Sequence, residues 1–237
     1  MSVEPLVSVV VPTLDEAAQL PALLDHLAAL PGRWEVIVAD GGSRDGSEQV
    51  VGVRAARAPF AHLVHAPRGR AVQMNAGAAL ARGDVLLFLH ADTRLPRGAY
   101  EALRWALAQP HVSGGNFALR FEGADRFSVL LGRWYALQRR SGVYYGDSAV
   151  WLRARAWGQL GGFRLLPIME DYDLVRRLER LPTPARTVCL PGPVVTSSRR
   201  WRELGIGRTI LTWVAIRWLY LAGVPAARLA ALYRHVR

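Results

Sequence analysis

The chain has 237 residues, of which 51% are hydrophobic and 21% are charged, so it has enough apolar material for one large domain and is not a disordered chain. Its formal net charge is +11 and all 30 basic residues are arginine, which excludes chemistry that requires lysine, such as a Schiff base or a P-loop. The single cysteine, Cys189, excludes an intramolecular disulfide, and no signal peptide is predicted, so we expect a cytoplasmic protein.

The first half of the chain alternates short apolar runs with segments of helical spacing. Strands are predicted at 6–11, 35–39, 61–64 and 85–89, and helices at 17–30, 70–82 and 95–108. This alternation predicts an α/β fold with a mainly parallel sheet flanked by helices, in which ligands bind at the carboxyl ends of the strands. Polar residues stand at three of those ends: Thr13, Asp15 and Glu16, then Asp40 and Ser43, then His90, Asp92 and Thr93.

The pattern loosens after residue 110, where we predict a strand at 112–121, a helix at 125–139 and a helix that begins near Glu170. From Ser197 onward the chain carries eight arginines and one acid, which is most of its excess charge. The apolar stretch 210–224 is interrupted by Arg217 and is shorter than the run of about 20 residues that a membrane-spanning helix needs. We therefore divide the chain into a domain at 1–202 and a basic, aromatic helical tail at 203–237.

Two interpretations of the tail remain open. An amphipathic helix that contains arginine and tryptophan can lie in the headgroup region of an anionic membrane, which would place the protein on the inner face of the cell membrane. Alternatively, a terminal helix pair packs on the domain, and the arginine stems cover apolar surface.

Two acids that follow predicted strands are candidate ligand contacts. Asp92 follows the fourth strand and can coordinate Mg²⁺ or Mn²⁺, which take oxygen ligands and bridge phosphates. The alternative is that Asp92 caps the next helix. Asp40 precedes two glycines that allow a ligand to approach the backbone, although a plain turn explains the same residues.

Two further clusters carry charge that a catalytic site can use. Glu170, Asp171 and Asp173 place three acids within four residues, and one of them is a candidate general base. Asp173 is better explained as a favourable charge at a helix start. The segment 68–70, Arg-Gly-Arg, is suited to an anion at a helix start, but a solvated turn is the alternative.

Taken in order, these segments resemble the family-2 glycosyltransferases, which have a GT-A fold. The resemblance covers 6–202. The matching segments are 9–16 after the first strand, 40–47 after the second, the Arg-Gly loop and Asn-containing helix at 68–77, His90-Ala91-Asp92 in place of the Asp-x-Asp metal motif, and Glu170-Asp171 in place of the Glu-Asp base motif.

Within the family, the chain most resembles a bacterial subgroup associated with arsenosugar biosynthesis and selenium-related gene neighbourhoods. The segments that support this narrower resemblance are 90–93, 146–147, 161–163, 169–171 and 198–201.

The resemblance implies an inverting transfer of one sugar from a nucleotide-sugar, UDP being the expected nucleotide, to a hydroxyl acceptor that is a small molecule or a lipid. The implied roles are: catalysis by Asp171 with Glu170; nucleotide-sugar binding by Pro12, Thr13, Glu16, Asp40, Gly42, Arg68, Asn75 and Ala91; a Mn²⁺ or Mg²⁺ site at Asp92 and His90; and acceptor contacts at Tyr145, Asp147, Arg200 and Trp201.

Two departures from the family pattern affect these expectations. His90 replaces the first acid of the metal motif, so metal binding rests on Asp92. Ser197 replaces the first residue of the Gln/Arg-x-x-Arg-Trp motif of processive synthases, so we expect a single transfer and no polymer extension.

Two other classes of function remain as alternatives. A nucleotidyltransferase shares this type of fold and metal requirement, but it usually has a Gly-rich basic loop after the first strand, which 12–15 does not match. A non-enzymatic basic protein that binds nucleic acid or membrane is the other alternative, because the net charge permits it. No nucleic-acid partner is expected, since no recognisable nucleic-acid motif is present.

Overall fold

The computed structural model of the protein describes residues 4–57, 60–123, 125–197 and 205–234. Its strands are β1 (Val7–Thr13), β2 (Trp34–Asp40), β3 (Ala61–His65), β4 (Val85–Phe88), β5 (Thr93–Arg94), β6 (Val112–Phe121), β7 (Trp151–Arg153) and β8 (Arg186–Thr196). Its helices are α1 (Leu20–Ala28), α2 (Ser47–Arg57), α3 (Arg70–Leu80), α4 (Ala99–Leu107), α5 (Arg126–Arg140), α6 (Ala154–Leu160), α7 (Glu170–Leu178), α8 (Ile206–Leu221) and α9 (Ala226–Arg234), with a 3₁₀ turn at Gly146–Ser148.

These strands form one sheet in the order β3-β2-β1-β4-β7-β6-β8-β5. The strands β1 to β4 run parallel, β6 and β8 are also paired in parallel, and the antiparallel pairs involve the short strands β7 and β5. The mixed, mainly parallel sheet flanked by helices confirms the predicted fold class, including the helices at the C-terminal end of the chain.

The central strand β1 is apolar on both sides because helices cover both faces of the sheet. Val9 faces the leucines of α1, whose spacing forms one apolar stripe, and Val10 faces α3. At Gly77 of α3 an added Cβ would lie 2.5 Å from Val10 Cγ1, so glycine permits the close packing of this helix on the strand. The helices on both faces thereby fix the position of β1 and of its carboxyl end.

The start of one helix and the presence of one strand differ from what the sequence predicted. The helix expected at 95–108 begins at Ala99, because residues 95–98 form a turn between strand β5 and the helix, in which Ala99 N donates a hydrogen bond to Pro96 O at 2.9 Å. Strand β8 was not predicted, and its Pro191-Gly192-Pro193 segment argues against a strand on local grounds. It forms by pairing with β6, whose register with β8 shifts between Phe117 and Leu119.

The helices α8 and α9 pack on the sheet domain. Ile216 and Leu229 are buried in a cluster with Met169 and Tyr172, and Arg217 donates a hydrogen bond to Gln138 of α5. The described part of the tail therefore packs on the domain, and these contacts do not test a membrane contact of its exposed side. Among the described residues, no helix is long and apolar enough to cross a membrane.

Candidate active site

A cavity of about 930 Å³ lies at the carboxyl ends of β1 and β4. Several residues singled out from the sequence line it: Glu16, His90, Asp92, Tyr145, Asp147, Glu170 and Asp171. The opposite wall comes from α5, α8 and α9. The structure therefore brings the predicted metal residues, the predicted base and part of the predicted donor and acceptor sites into one cavity.

Asp171 stands in the first turn of α7, with its carboxylate fixed by two backbone groups. Its Oδ2 accepts a hydrogen bond from Gly146 N at 2.8 Å, and its Oδ1 accepts one from Tyr172 N at 2.7 Å. Met169, directly before α7, has φ of +66°, a left-handed conformation that non-glycine residues adopt rarely and that often marks functional sites. This backbone conformation sets the point at which α7 begins beside the cavity.

Gly146 allows His90 and Asp171 to approach the same piece of backbone. A Cβ at this position would lie 3.1 Å from His90 Nε2 and 3.2 Å from Asp171 Oδ2, which is tighter than ordinary contact. The absence of a side chain at Gly146 thus leaves room for both polar groups at the edge of the cavity.

Next to Asp171, Glu170 is almost fully buried and forms an ion pair with Arg70, with 3.3 Å between Oε1 and Nη1. Burial raises the pKa of Glu170, Arg70 partly opposes this rise, and the nearby Asp171 adds to it. Burial also acts to lower the pKa of Arg70, but the charges of Glu170 and Asp171 outweigh it, and the net shift is upward. Arg70 therefore remains a cation beside the predicted base.

The predicted metal residues offer donor atoms that suit a divalent cation. Asp92 supplies a carboxylate and His90 an imidazole, and both line the cavity. Mg²⁺ commonly binds through one or two carboxylates and completes its shell with water and substrate phosphates, while Mn²⁺ has a similar preference for oxygen ligands. The chemistry of these two side chains therefore fits a metal site that a phosphate-bearing ligand completes.

A second group of candidate ligands lies at the ends of β2 and β3, outside the lining of the cavity. Side-chain ligand atoms of Asp40, Glu48 and His65 lie within 4.8 Å of one another. However, Asp40 Oδ2 already accepts hydrogen bonds from Gly42 N at 2.7 Å and Ser43 N at 2.9 Å. Asp40 therefore holds its own loop in shape, as a turn residue does.

The loop after β1 is tied to the loop after β2 by side-chain to backbone hydrogen bonds. Asp15 N donates to Ser43 Oγ at 2.9 Å, Arg44 N donates to Asp15 Oδ1 at 2.8 Å, and Glu16 N donates to Ser47 Oγ at 3.0 Å. Asp15 itself has a left-handed φ of +55°. These contacts fix the rim of the cavity on which Glu16 lies.

Other predicted donor contacts lie away from the cavity lining. Thr13 is buried, and its carbonyl oxygen accepts a hydrogen bond from Gln73 Nε2 at 2.6 Å. Asn75 forms two hydrogen bonds of 2.9 Å with the backbone of Phe163, which use both polar atoms of its side chain. The remaining residues of this kind are Pro12, Asp40, Gly42, Arg68 and Ala91. Arg200 and Trp201, predicted on the acceptor side, lie outside the described residues.

The aromatic wall of the cavity was not assigned to the site from sequence. It consists of Trp134 and Tyr135 on α5, Trp213 and Trp218 on α8, and Tyr233 on α9. The spacing of Trp134 with Gln138, and of Trp213 with Arg217, places each pair on one helix face and is the one signal available in the sequence.

Tyr145 continues this wall toward α7. Its ring stacks on Tyr172 with 5.4 Å between centroids, and burial raises the pKa of its phenol. Tyr145 therefore presents a neutral phenol beside the acidic end of the cavity.

Comparison with known proteins agrees with this geometry. The profile of Glycosyl transferase family 2 matches residues 8–164. A PGL/p-HBAD biosynthesis glycosyltransferase of Mycobacterium tuberculosis is 39% identical over 101 residues, which are 41% of this chain and 38% of that protein. An undecaprenyl-phosphate 4-deoxy-4-formamido-L-arabinose transferase of Aeromonas hydrophila is 32% identical over 161 residues, 63% of this chain and 48% of that protein. The chain thus spans less than half the length of these curated relatives.

A solved structure shares the fold. The mannosyltransferase PcManGT from Pyrobaculum calidifontis, in complex with GDP-Man and Mn²⁺, superposes with a TM-score of 0.70 at 21% identity and covers 93% of this chain and 65% of that chain. At this identity the likeness concerns the fold, which is the GT-A fold of glycosyltransferases. Because the family profile matches well over half of its residues, the chain belongs to glycosyl transferase family 2.

Proposed function

We propose that the protein is an inverting glycosyltransferase that moves one sugar from a UDP-sugar to a hydroxyl acceptor at a divalent metal site. The observation that carries this proposal is the common cavity of Asp171, Asp92 and His90 at the carboxyl ends of β1 and β4. Glycosyl transfer needs a base for the acceptor and positive charge for the leaving diphosphate. Asp171 would supply the base, and Asp92 with His90 would supply ligands for the metal that carries the positive charge.

The donor belongs at the rim formed by the loops after β1 and β2. Glu16 lines the cavity there, and the hydrogen bonds between the two loops fix its position. Arg70, at the first residue of α3, adds a guanidinium and a helix N-terminus, a combination that favours phosphate. The nucleoside would contact this rim, and the diphosphate would point toward Arg70 and Asp92.

Asp92, with His90, would hold the metal. The metal supplies positive charge that offsets the charge growing on the leaving diphosphate. Its identity as Mn²⁺ or Mg²⁺ is part of the proposal, which draws support from the Mn²⁺ in the complex of the mannosyltransferase PcManGT.

Asp171 would act as the general base. Its carboxylate takes the proton of the acceptor hydroxyl while the hydroxyl oxygen attacks the anomeric carbon. The bond from that carbon to the diphosphate oxygen breaks, and the nucleoside diphosphate leaves with the electron pair. Since the new bond forms opposite the leaving group, the anomeric configuration inverts. Glu170, paired with Arg70, would keep the start of α7 in place beside the base.

Two finer assignments belong to the same proposal. Within the family, we place the chain in the bacterial subgroup associated with arsenosugar biosynthesis and selenium-related gene neighbourhoods, on the residues given above. The free cysteine is consistent with the proposed cytoplasmic location, because reducing compartments keep thiols unpaired.

Calorimetric titration tests the donor site. UDP and GDP are each titrated, with and without Mn²⁺ or Mg²⁺, into the wild type and Asp92→Ala. We expect UDP to bind in a metal-dependent manner and to bind Asp92→Ala at least about tenfold more weakly, because one of the few metal ligands is lost. GDP is the direct comparison, since the mannosyltransferase neighbour holds GDP-Man.

The other outcomes correct the proposal at defined points. Preference for GDP would change the donor class. Metal-independent binding that survives Asp92→Ala would remove Asp92 from the donor site; the alternative role as a cap of the next helix is already excluded, because that helix begins at Ala99 with Gly98 at its N-cap. Failure of both nucleotides to bind would remove the transferase proposal.

A further inference from the structure

Helix α5 turns an apolar stripe toward solvent. Val129, Leu130, Trp134 and Leu137 are all exposed, and their spacing of three and four residues puts them on one side of the helix. A helix of a globular domain normally buries such a stripe. The stripe of α5 therefore lacks a partner within the part of the chain that the structure describes.

The same side of α5 carries positive charge. Arg126, Arg133 and Arg140 are exposed and follow one another at intervals of seven residues, so they lie among the apolar side chains of the stripe along its whole length. No aspartate or glutamate occurs in α5. The exposed side is thus both apolar and cationic.

Helix α8 repeats this pattern. Leu211 and Trp218 are strongly exposed and seven residues apart, and Leu221 is exposed one turn further along. Arg208 is exposed near the start of the helix, and α8 also contains no acid.

The exposed sides of both helices include a tryptophan that lines the cavity. Arg217 of α8 donates a hydrogen bond to Gln138 of α5, which holds the helices together. Trp134 and Trp218 line the cavity and are exposed at the same time, so each marks the rim. We call the exposed side chains of the two helices the α5–α8 face, made up of Arg126, Val129, Leu130, Arg133, Trp134, Leu137, Arg140, Arg208, Leu211, Trp218 and Leu221.

We propose that the α5–α8 face docks on the surface of an anionic lipid bilayer. In this position the mouth of the cavity faces the membrane. Helices with leucine and tryptophan among arginines and without acids lie in the headgroup region of such membranes. Each arginine near an anionic surface adds an attraction that depends on salt. A second copy is a poorer occupant, because a twofold contact would set these arginines against one another.

This docking defines the acceptor class, a step that rests on the proposed function. An acceptor whose hydroxyl sits at the headgroup level of a lipid reaches the cavity between Trp134 and Trp218 without leaving the membrane. The aromatic wall of α5, α8 and α9 then contacts its apolar part, and Asp171 meets the hydroxyl.

Vesicle flotation of the full chain tests the docking surface. Vesicles contain phosphatidylcholine and phosphatidylglycerol in equal parts, or phosphatidylcholine alone. The variants are Leu130→Glu on α5 and Leu211→Glu on α8, with Leu80→Glu at the end of α3 as the matched control. These leucines are 64%, 72% and 51% exposed, and none of them lines the cavity, so the changes spare the core.

We expect the wild type to float with the anionic vesicles and to be released by added salt. Leu130→Glu and Leu211→Glu should each bind the anionic vesicles about tenfold more weakly. Burial of one leucine side chain in the membrane contributes more free energy than a tenfold change in affinity corresponds to. Leu80→Glu should bind like the wild type.

Several outcomes would overturn the inference. If the wild type did not float with anionic vesicles, or if Leu80→Glu lost as much vesicle binding as the two other variants, this surface would be excluded as the docking site. Loss in Leu211→Glu alone would restrict the contact to the tail. If light scattering showed a dimer for the wild type and a monomer for both variants, the occupant of the face would be a second copy of the chain. Nucleotide titration of the same proteins separates the two proposals. Loss of vesicle binding with nucleotide binding retained would contradict the docking surface alone, and loss of nucleotide binding with vesicle binding retained would contradict the proposed function alone.

Discussion

Asp171 has two properties that suit a general base. Backbone N–H groups of Gly146 and Tyr172 fix the direction of its carboxylate, and the cavity gives that carboxylate access to a ligand. Its neighbour Glu170 also lines the cavity, but it is almost fully buried and its Oε1 accepts a hydrogen bond from the side chain of Arg70. Two adjacent acids thus have different environments, which points to different roles.

The residue-scale prediction is that Asp171→Asn lowers the rate of sugar transfer by about 10²–10⁴-fold, the usual contribution of a positioned base. Asparagine keeps a carbonyl oxygen for the Gly146 N–H, so UDP should bind to the variant as it does to the wild type. The rate is measured by release of UDP from UDP-sugar donors with vesicle lipids as acceptor. Glu101→Gln, an exposed acid on α4, is the control for loss of charge. Turnover at the wild-type rate would remove Asp171 from the role of base.

The sequence predicted the acids of the site better than their partners. Asp92 and Asp171 stand out because acids directly after a buried strand, or at a helix start, are visible in the local pattern. The pairing of Glu170 with Arg70 joins residues 100 positions apart, and no local pattern contains it. The same holds for Asn75, whose hydrogen bonds to Phe163 span 88 positions, and so its contact with the backbone was not foreseen.

At the scale of elements, β1 and β2 are held together at their amino ends by a buried carboxylate. Glu35 on β2 accepts hydrogen bonds from Ser8 Oγ on β1 and from Arg82 N at 2.6 Å, and forms an ion pair with the Arg82 side chain at 3.0 Å. Burial acts to raise the pKa of Glu35, but the hydrogen bonds from Ser8 and Arg82 outweigh it and lower the pKa. The ionised form of Glu35 therefore stabilises the fold.

From this follows a prediction about stability and pH. Glu35→Gln should reduce the free energy of unfolding at neutral pH by about 1–3 kcal/mol, because buried donors lose a charged acceptor. Since the folded pKa lies below the unfolded value, the contribution of Glu35 is present above about pH 4.5 and is lost as pH falls through the folded pKa. Urea unfolding at neutral and at acidic pH measures the difference, which should shrink on acidification. A constant difference would show that the charge of Glu35 is not involved.

Elements were predictable where the local pattern and the tertiary environment agree. Strands β1 and β2 are buried on both sides, and their runs of valine and isoleucine predict strands at these positions. Strand β8 depends on its pairing with β6 and contains residues that locally oppose a strand, so the sequence alone did not predict it. The sequence predicted the helix α5. It did not predict that the apolar stripe of α5 is exposed, because this depends on how the neighbouring elements are arranged.

At the scale of the molecule, the cavity has two walls of different origin. The sheet and the starts of α3 and α7 supply the polar wall, whereas α5, α8 and α9 supply the aromatic wall. Leu229 of α9 is fully buried in the cluster that joins the last two helices to Met169 and Tyr172. The position of the aromatic wall therefore depends on a small apolar contact.

The prediction at this scale is that Leu229→Asp releases α8 and α9 from the domain while the donor wall stays intact. A buried charge without a partner opposes the docked state of these helices, so segment 206–234 should become sensitive to protease. Binding of UDP should change little, and the apparent KM for the acceptor should rise by about tenfold or more, since the aromatic wall is lost. Leu232→Asp is the matched control, because Leu232 lies on the same helix and is 52% exposed whereas Leu229 is 0% exposed. If Leu229→Asp abolished UDP binding as well, the two walls would not be separable, and the last two helices would have to be counted as part of the donor site.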